Sequence, residues 1–388
     1  MEYFDYDNRL LESLRSVVGD IELFINAVSE PGSFISIRVN TLKIDVDRLF
    51  ERLSNKGLDV SYHGVLDDVL LIPVVKRPFD ISKTILPEKS VWADKYAAES
   101  VLQGANLYWP GLLSFDKGIR IGDRVVVRAP NNLPVAIGIS MFNSTSGLKK
   151  SGIAVKVLAS KYSSPKLREL NEYCEGLFYQ QSIPSILAVL ELDPKPGEVI
   201  VDMCAAPGGK STYIAQLTRN IAKIYAFDHS EKRLKQLERE LIRLGAKSVK
   251  PIRADSRYLH IDYPTIRADR VILDPPCSGI GIRPKIYDRK RHSDVLNLSR
   301  YQKQFVKSAF KILKPGGILV YSTCTVTLEE TVEIVDYAVR ETGFRLTRTL
   351  KLHIGFPPKI LSLRSYAEIF LPHVHDLPGY FIAVLEKP

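Results

Sequence analysis

Cysteine is scarce in this chain. Only Cys174, Cys204, Cys277 and Cys324 occur among 388 residues, far apart and never as Cys-x-x-Cys, which excludes a disulfide framework and a zinc knuckle. Long apolar runs are missing too. None approaches the ~20 residues of a membrane span, and the first fifteen residues are too polar for the centre of a signal peptide, so the expectation is a soluble, cytosolic protein with no membrane partner. Acidic residues are outnumbered: 44 Asp and Glu against 54 Lys and Arg leave a net charge of +10, which favours a polyanionic partner. The glycine-rich turn within 199–211 is neither Gly-x-Gly-x-x-Gly nor a Walker A sequence, so neither a dinucleotide nor a nucleoside triphosphate is its obvious guest.

What is present centres on that turn. Val199-Ile-Val-Asp-Met-Cys-Ala-Ala-Pro-Gly-Gly-Lys-Ser211 passes from an apolar run through an acid and several small residues into a helical pattern, as a parallel strand does around a nucleotide-like ligand. Ala205, Ala206, Gly208 and Gly209 leave room for a ligand, and Pro207 stiffens the loop. From residue 194 onward strands and helices alternate with short links, which predicts a doubly wound, mostly parallel sheet. Asp228 ends the second strand, where an acid accepts hydrogen bonds from ribose hydroxyls; its other reading is a helix N-cap for residues 231–244. Two later strands end in cysteines: Val271-Ile-Leu-Asp-Pro-Pro-Cys-Ser-Gly279 and Leu319-Val-Tyr-Ser-Thr-Cys-Thr325.

Asp-Met-Cys-Ala-Ala-Pro-Gly-Gly-Lys, Asp-Pro-Pro-Cys-Ser-Gly and Ser-Thr-Cys-Thr, in that order, resemble the S-adenosylmethionine (SAM) dependent RNA cytosine-5 methyltransferases of the Nop/Sun family. The resemblance implies a Rossmann-like α/β methyltransferase with SAM as cofactor. Cytosine C5 is a poor nucleophile, so a thiolate must first add at C6, and a base must later remove the C5 proton. DNA cytosine-5 methyltransferases use a cysteine in a Pro-Cys motif, which would select Cys277; the Nop/Sun resemblance instead assigns the attack to Cys324 and gives Cys277 the release of product. It also gives Asp274 the contact to cytosine N3 and the exocyclic amine, and Lys210 a role in holding the cofactor or positioning the base. Cofactor contacts fall to Cys204, Ala205, Ala206, Pro207, Gly208, Gly209, Asp228, Arg233 and Asp255.

Earlier segments add RNA-binding expectations. Residues 1–89 read as an N-terminal α+β segment whose Ser36-Ile-Arg-Val-Asn-Thr-Leu-Lys43 resembles the same family. Arg38 there is an RNA contact or, more simply, an edge-strand residue facing water. Residues 90–163 resemble a PUA domain, a small RNA-binding β-barrel, and 164–388 form the catalytic domain. Tyr108 is the barrel aromatic expected to stack on an unpaired base, and Trp109 the one expected to pack. Lys149, Lys150, Arg283, Arg289, Lys290 and Arg291 are expected phosphate contacts, although charge runs of this kind also serve as solvated faces. Cys174 reads as an inert packing thiol. His373 and His375 have no third partner in the pattern, so no metal is expected. Tyr380 stands where the family commonly has Phe, a departure that puts little in doubt. The architecture resembles acceptor-stem tRNA methyltransferases acting at cytosine 72, with tRNA gripped at its acceptor stem and 3′ CCA end by a monomer. Another RNA cytosine, ribosomal or elsewhere in tRNA, and a non-catalytic RNA-binding scaffold are the alternatives.

Overall fold

The computed structural model describes residues 3–77, 86–145, 151–346, 355 and 366–388; Lys149 and Lys150 lie outside them. Strand Phe34–Val39 (β1) pairs antiparallel with Val69–Pro73 (β2). The chain then enters a six-stranded sheet in which Pro134–Ser140 lies between Arg124–Arg128 and Ile153–Ser160. Alternating valines and alanines such as Val91, Ala93, Val125, Val127 and Val155 fill its interior. Helix Lys95–Leu102 (α1), capped by the Asp94 side chain accepting from Ala97 N at 2.8 Å, packs on this sheet.

Leaving the sheet, strand Phe178–Gln180 (β3) returns to pair with β1 on the side away from β2. The small N-terminal sheet is thus completed by residues on both sides of the inserted barrel. Helices Asn8–Val18 and Ile21–Ser29 depart from it altogether. Their Leu10, Leu14, Phe24 and Ile25 are buried in the same core as Val201, Leu273, Phe305 and Tyr321. These two helices therefore cover a face of the large sheet.

That sheet is built from Val199–Asp202 (β4), helix Gly209–Leu217 (α2), Lys223–Asp228 (β5), helix Glu231–Leu244 (α3), Val249–Arg253 (β6), Ala268–Leu273 (β7), helix His292–Ile312 (α4), Leu313–Thr323 (β8), Ala367–Phe370 (β9) and Tyr380–Glu386 (β10). Its order is β6-β5-β4-β7-β8-β10-β9, parallel as far as β8 and antiparallel for the closing pair. α3 shows why the sequence folds this way: Leu234, Leu237, Leu241 and Leu244 form one buried face, Ser230 caps its start and Gly245, at φ 73°, ends it. Register aligns Asp202 with Ala226 and Ile272, and Leu273 with Tyr321. Asp202, Asp228, Asp274 and Cys324 consequently follow one edge of the sheet, where open α/β sheets bind ligands.

Candidate active site

A cleft of about 570 Å³ opens at that edge, lined on its floor by Cys204, Pro207, Lys210, Asp274, Cys277 and Cys324. Cys277 Sγ and Cys324 Sγ are 3.1 Å apart, in hydrogen-bond contact as free thiols. This contact favours ionisation of Cys277, while it and burial push the Cys324 thiol up. Beside them Lys210 Nζ donates to Asp274 Oδ2. Burial disfavours the ammonium, but Asp274 and Tyr380 more than offset this and hold the lysine pKa above its ordinary range.

The loop carrying Cys277 is anchored from below. Ser278 N donates to Glu330 Oε1 at 2.9 Å, Ser278 Oγ meets Thr325 Oγ1 at 2.8 Å, and Gln302 Nε2 donates to both Pro276 O and Glu330 Oε1. Burial raises the Glu330 pKa. Sequence reasoning missed Glu330 and Gln302. The only signal for the former was an acid pair shortly after Cys324, and nothing local marked the latter.

The cofactor side lies next to the thiols. Asp228 is 3% exposed; its Oδ1 accepts from Ser230 N at 2.9 Å, while its Oδ2 receives no hydrogen bond and lies 3.3 Å from Arg233 Nη1. The N-cap of α3 is Ser230 and not Asp228, whose Oδ1 instead shapes the turn that leads into the helix, leaving Oδ2 beside Arg233 on the cofactor side. A narrow crevice continues from it between Cys204, Ala254, Asp255, Tyr301 and Phe305. Tyr301 and Phe305 form part of its wall, and neither was marked by the sequence. Asp255 is turned partly inward on Arg257, which binds both its oxygens. Arg233 lines cleft and crevice and donates to Ala206 O. These groups fit SAM.

Several expected contacts need correction. Gly208 does not line the cleft; its φ of +118° turns the chain, and a side chain there would strike Leu237. Arg283 is no phosphate clamp: its side chain is 6% exposed and donates to Glu30 O, Pro31 O and Asp376 Oδ1. Arg291 is engaged by Asp5, which also pairs with the exposed Arg289. Of the expected phosphate contacts in that run Lys290 lines the cleft, together with Lys285. Arg38 sits on a central strand, 2% exposed, and donates to Gln181, Gln216 and Thr212. Cys174 is exposed rather than packed. Tyr108 is 45% exposed and lines a second cleft, whereas Trp109 packs on Phe142 with ring centroids 5.1 Å apart. Among the described residues no group of three or more His, Cys, Asp or Glu is placed to hold a metal, and no helix is long and apolar enough to cross a membrane.

Known proteins are similar to this chain in sequence and fold. The 16S rRNA methyltransferase RsmB/F family matches residues 189–386, and the PUA domain matches 89–160. The tRNA (cytosine(72)-C(5))-methyltransferase of Pyrococcus horikoshii is 39% identical over 100% of this chain and 98% of that protein. Human tRNA (cytosine(72)-C(5))-methyltransferase NSUN6 is 30% identical over 82% of this chain and 74% of its own length. The crystal structure of NSun6 from Pyrococcus horikoshii with SFG superposes with a TM-score of 0.89, 38% identity and 98% coverage of both chains. Matched over its catalytic domain, over its inserted barrel and along the whole chain, the protein belongs to the RsmB/F, or Nop/Sun, family of SAM-dependent RNA cytosine-C5 methyltransferases.

Proposed function

We propose that this enzyme forms 5-methylcytosine at position 72 of the tRNA acceptor stem, working as a cytoplasmic monomer of three units, residues 1–89, 90–163 and 164–388. The observation that carries the chemistry is the pair of thiols 3.1 Å apart at the foot of the cleft, beside a carboxylate gripped by a lysine. SAM, when bound, supplies an electrophilic methyl group. Cys324 Sγ bonds to cytosine C6, and its proton passes by way of the Asp274 carboxylate to N3 as the ring electrons arrive there, while Asp274 also accepts from the exocyclic amine; the N3 proton returns by the same path when Cys324 leaves. C5 then takes the methyl group. Cys277, the thiol whose ionisation the contact favours, accepts the C5 proton, and the electron pair of that C–H bond re-forms the ring double bond and expels Cys324.

The tRNA assignment draws on a second cleft, about 630 Å³, lined by Asn106, Tyr108, Lys166, Arg168 and Gln180. Gln180 borders both clefts, and α1 lends Tyr96 and Glu99 to one and Ala97 and Ser100 to the other. A 3′ CCA end in the second cleft puts the nearby acceptor-stem cytosine, extruded from its stack, within reach of the first. The test is bisulfite mapping of a tRNA pool treated with enzyme and SAM. Cys324→Ala is expected to abolish the mark at cytosine 72, and Cys277→Ala to accumulate an RNA–protein adduct visible on a denaturing gel. Methylation that survives Cys324→Ala would overturn the nucleophile, and marks confined to other RNA cytosines would overturn the substrate.

A further inference from the structure

Asp274 must present an oxygen to the cytosine in a fixed direction, and the Lys210 and Tyr380 contacts to its carboxylate fall on the same atom. Lys210 Nζ donates to Oδ2, and the hydroxyl of Tyr380 lies 3.4 Å from that same Oδ2. Tyr380 opens β10, which runs antiparallel to β8, and its neighbour Phe381 is opposite Thr323, one residue before Cys324. The side chain is buried, with its ring 6.0 Å from Lys210 Nζ and its hydroxyl 3.2 Å from Ser322 Oγ. A phenol has one proton, and the charged carboxylate is the stronger acceptor. Burial, and then the adjacent Asp274 charge, push the phenol pKa up, so Tyr380 faces Asp274 as a donor throughout the neutral range.

We propose that Tyr380 is a positioning residue: its hydroxyl and the Lys210 ammonium together fix Oδ2 of Asp274, so that Oδ1 is the oxygen turned to the cytosine. The backbone around Tyr380 explains how it is held there. Gly379 N donates to Gly281 O at 2.8 Å, and Gly281 N donates to Cys324 O at 3.2 Å. These two backbones approach so closely that a side chain on Gly281 would sit 2.2 Å from Gly379 O. The closing strand, the loop after Cys277 and the Cys324 turn therefore form one rigid frame around Asp274. The Tyr380–Asp274 contact is long for an O–H···O bond; catalytic contacts commonly tighten only when substrate is bound. Lys210 alone fixes one bond direction, leaving the carboxylate free to rotate about it, and the second donor removes that freedom.

This inference rests on the cytosine-C5 reading but not on the choice of tRNA. It is tested with Tyr380→Phe, which keeps the ring and removes only the hydroxyl, on whichever RNA of a mixed tRNA and rRNA pool the wild-type enzyme methylates. The expected result is a kcat lower by about tenfold, with KM for RNA and the thermal midpoint unchanged. In a Cys277→Ala background the covalent adduct should form more slowly by a similar factor. Wild-type kcat in Tyr380→Phe would overturn the proposal. A raised KM with a lowered midpoint would also overturn it, by showing that the residue is packing. If the wild-type enzyme methylated no RNA and Cys277→Ala trapped none, the cytosine-C5 reading and this proposal would both fail; a trapped adduct insensitive to Tyr380→Phe would sink the proposal alone.

Discussion

Asp202 ends the first strand of the catalytic sheet with its carboxyl sealed from water, 1% exposed and accepting from Ser211 Oγ at 2.6 Å. Burial raises its pKa from 3.8 to about 6, against the pull of Ser211 and Lys210. A raised folded-state value means that the folded protein retains a proton the unfolded chain has already released. The resulting stabilisation is complete below pH 3.8 and lost as pH rises through 6. Asp202→Asn removes the titration but can still accept from Ser211. Denaturation at pH 4 and pH 8 should show wild type losing stability relative to Asp202→Asn on going to pH 8, by up to about 3 kcal/mol. A gap that stays constant with pH would mean that the charge is not desolvated in solution. At this scale the sequence was most informative where residues are contiguous. Asp274 and Cys277 lie one and four residues past the end of β7, and Cys324 one past the end of β8, so their motifs carry their chemistry. Tyr380, Tyr301 and Glu330 reach the site only because distant strands and helices close on it, which no local pattern encodes.

Among the elements, the strand and helix pattern of 199–323 was legible because burial on both faces demands continuous apolar runs and α3 repeats leucine at helical spacing. β1 was not. Its Phe-Ile-Ser-Ile-Arg-Val alternation fits a solvated edge, yet β3, contributed 140 residues later, covers that edge. Arg38 is thereby trapped between the rings of Tyr179 and Tyr213, 5.8 and 4.5 Å from their centroids. It ties β1 to α2, the helix that begins at the glycine turn and carries Lys210. Burial lowers its pKa to about 10, so it remains charged near neutrality. Arg38→Met leaves buried acceptors on Gln181, Gln216 and Thr212 without a donor. The expected cost is about 3 kcal/mol, seen as a lower midpoint in urea. Arg38→Lys should recover little of it, because one ammonium cannot span the three-sided fork. A midpoint equal to wild type in Arg38→Met would show that the buried network is dispensable.

For the molecule as a whole, the question is how a barrel and a catalytic sheet choose one cytosine among many. A net charge of +10 favours any polyanion alike, so on the proposed reading selection comes from geometry, through the two clefts flanking α1. Tyr108 is the aromatic exposed in the second cleft, with its hydroxyl 3.4 Å from Glu169 Oε1 and Lys166 nearby, bonded to Asn106 Oδ1 at 2.9 Å. A base stacked on an aromatic ring contributes about 1–3 kcal/mol, and 1.4 kcal/mol is tenfold in affinity. Tyr108→Ala should therefore raise KM for tRNA by about tenfold or more with kcat unaltered, since the thiols and Asp274 are untouched, while Tyr108→Phe should stay near wild type. The decisive comparison repeats the measurement with tRNA lacking its CCA end. If the second cleft holds that end, removing it from the RNA should cost wild type what Tyr108→Ala costs on intact tRNA, and the two changes together should cost little more than either alone, as expected for partners in one contact. Fully additive losses would place the CCA end elsewhere on the protein, and an unchanged KM in Tyr108→Ala would leave the barrel's aromatic without a role in choosing cytosine 72.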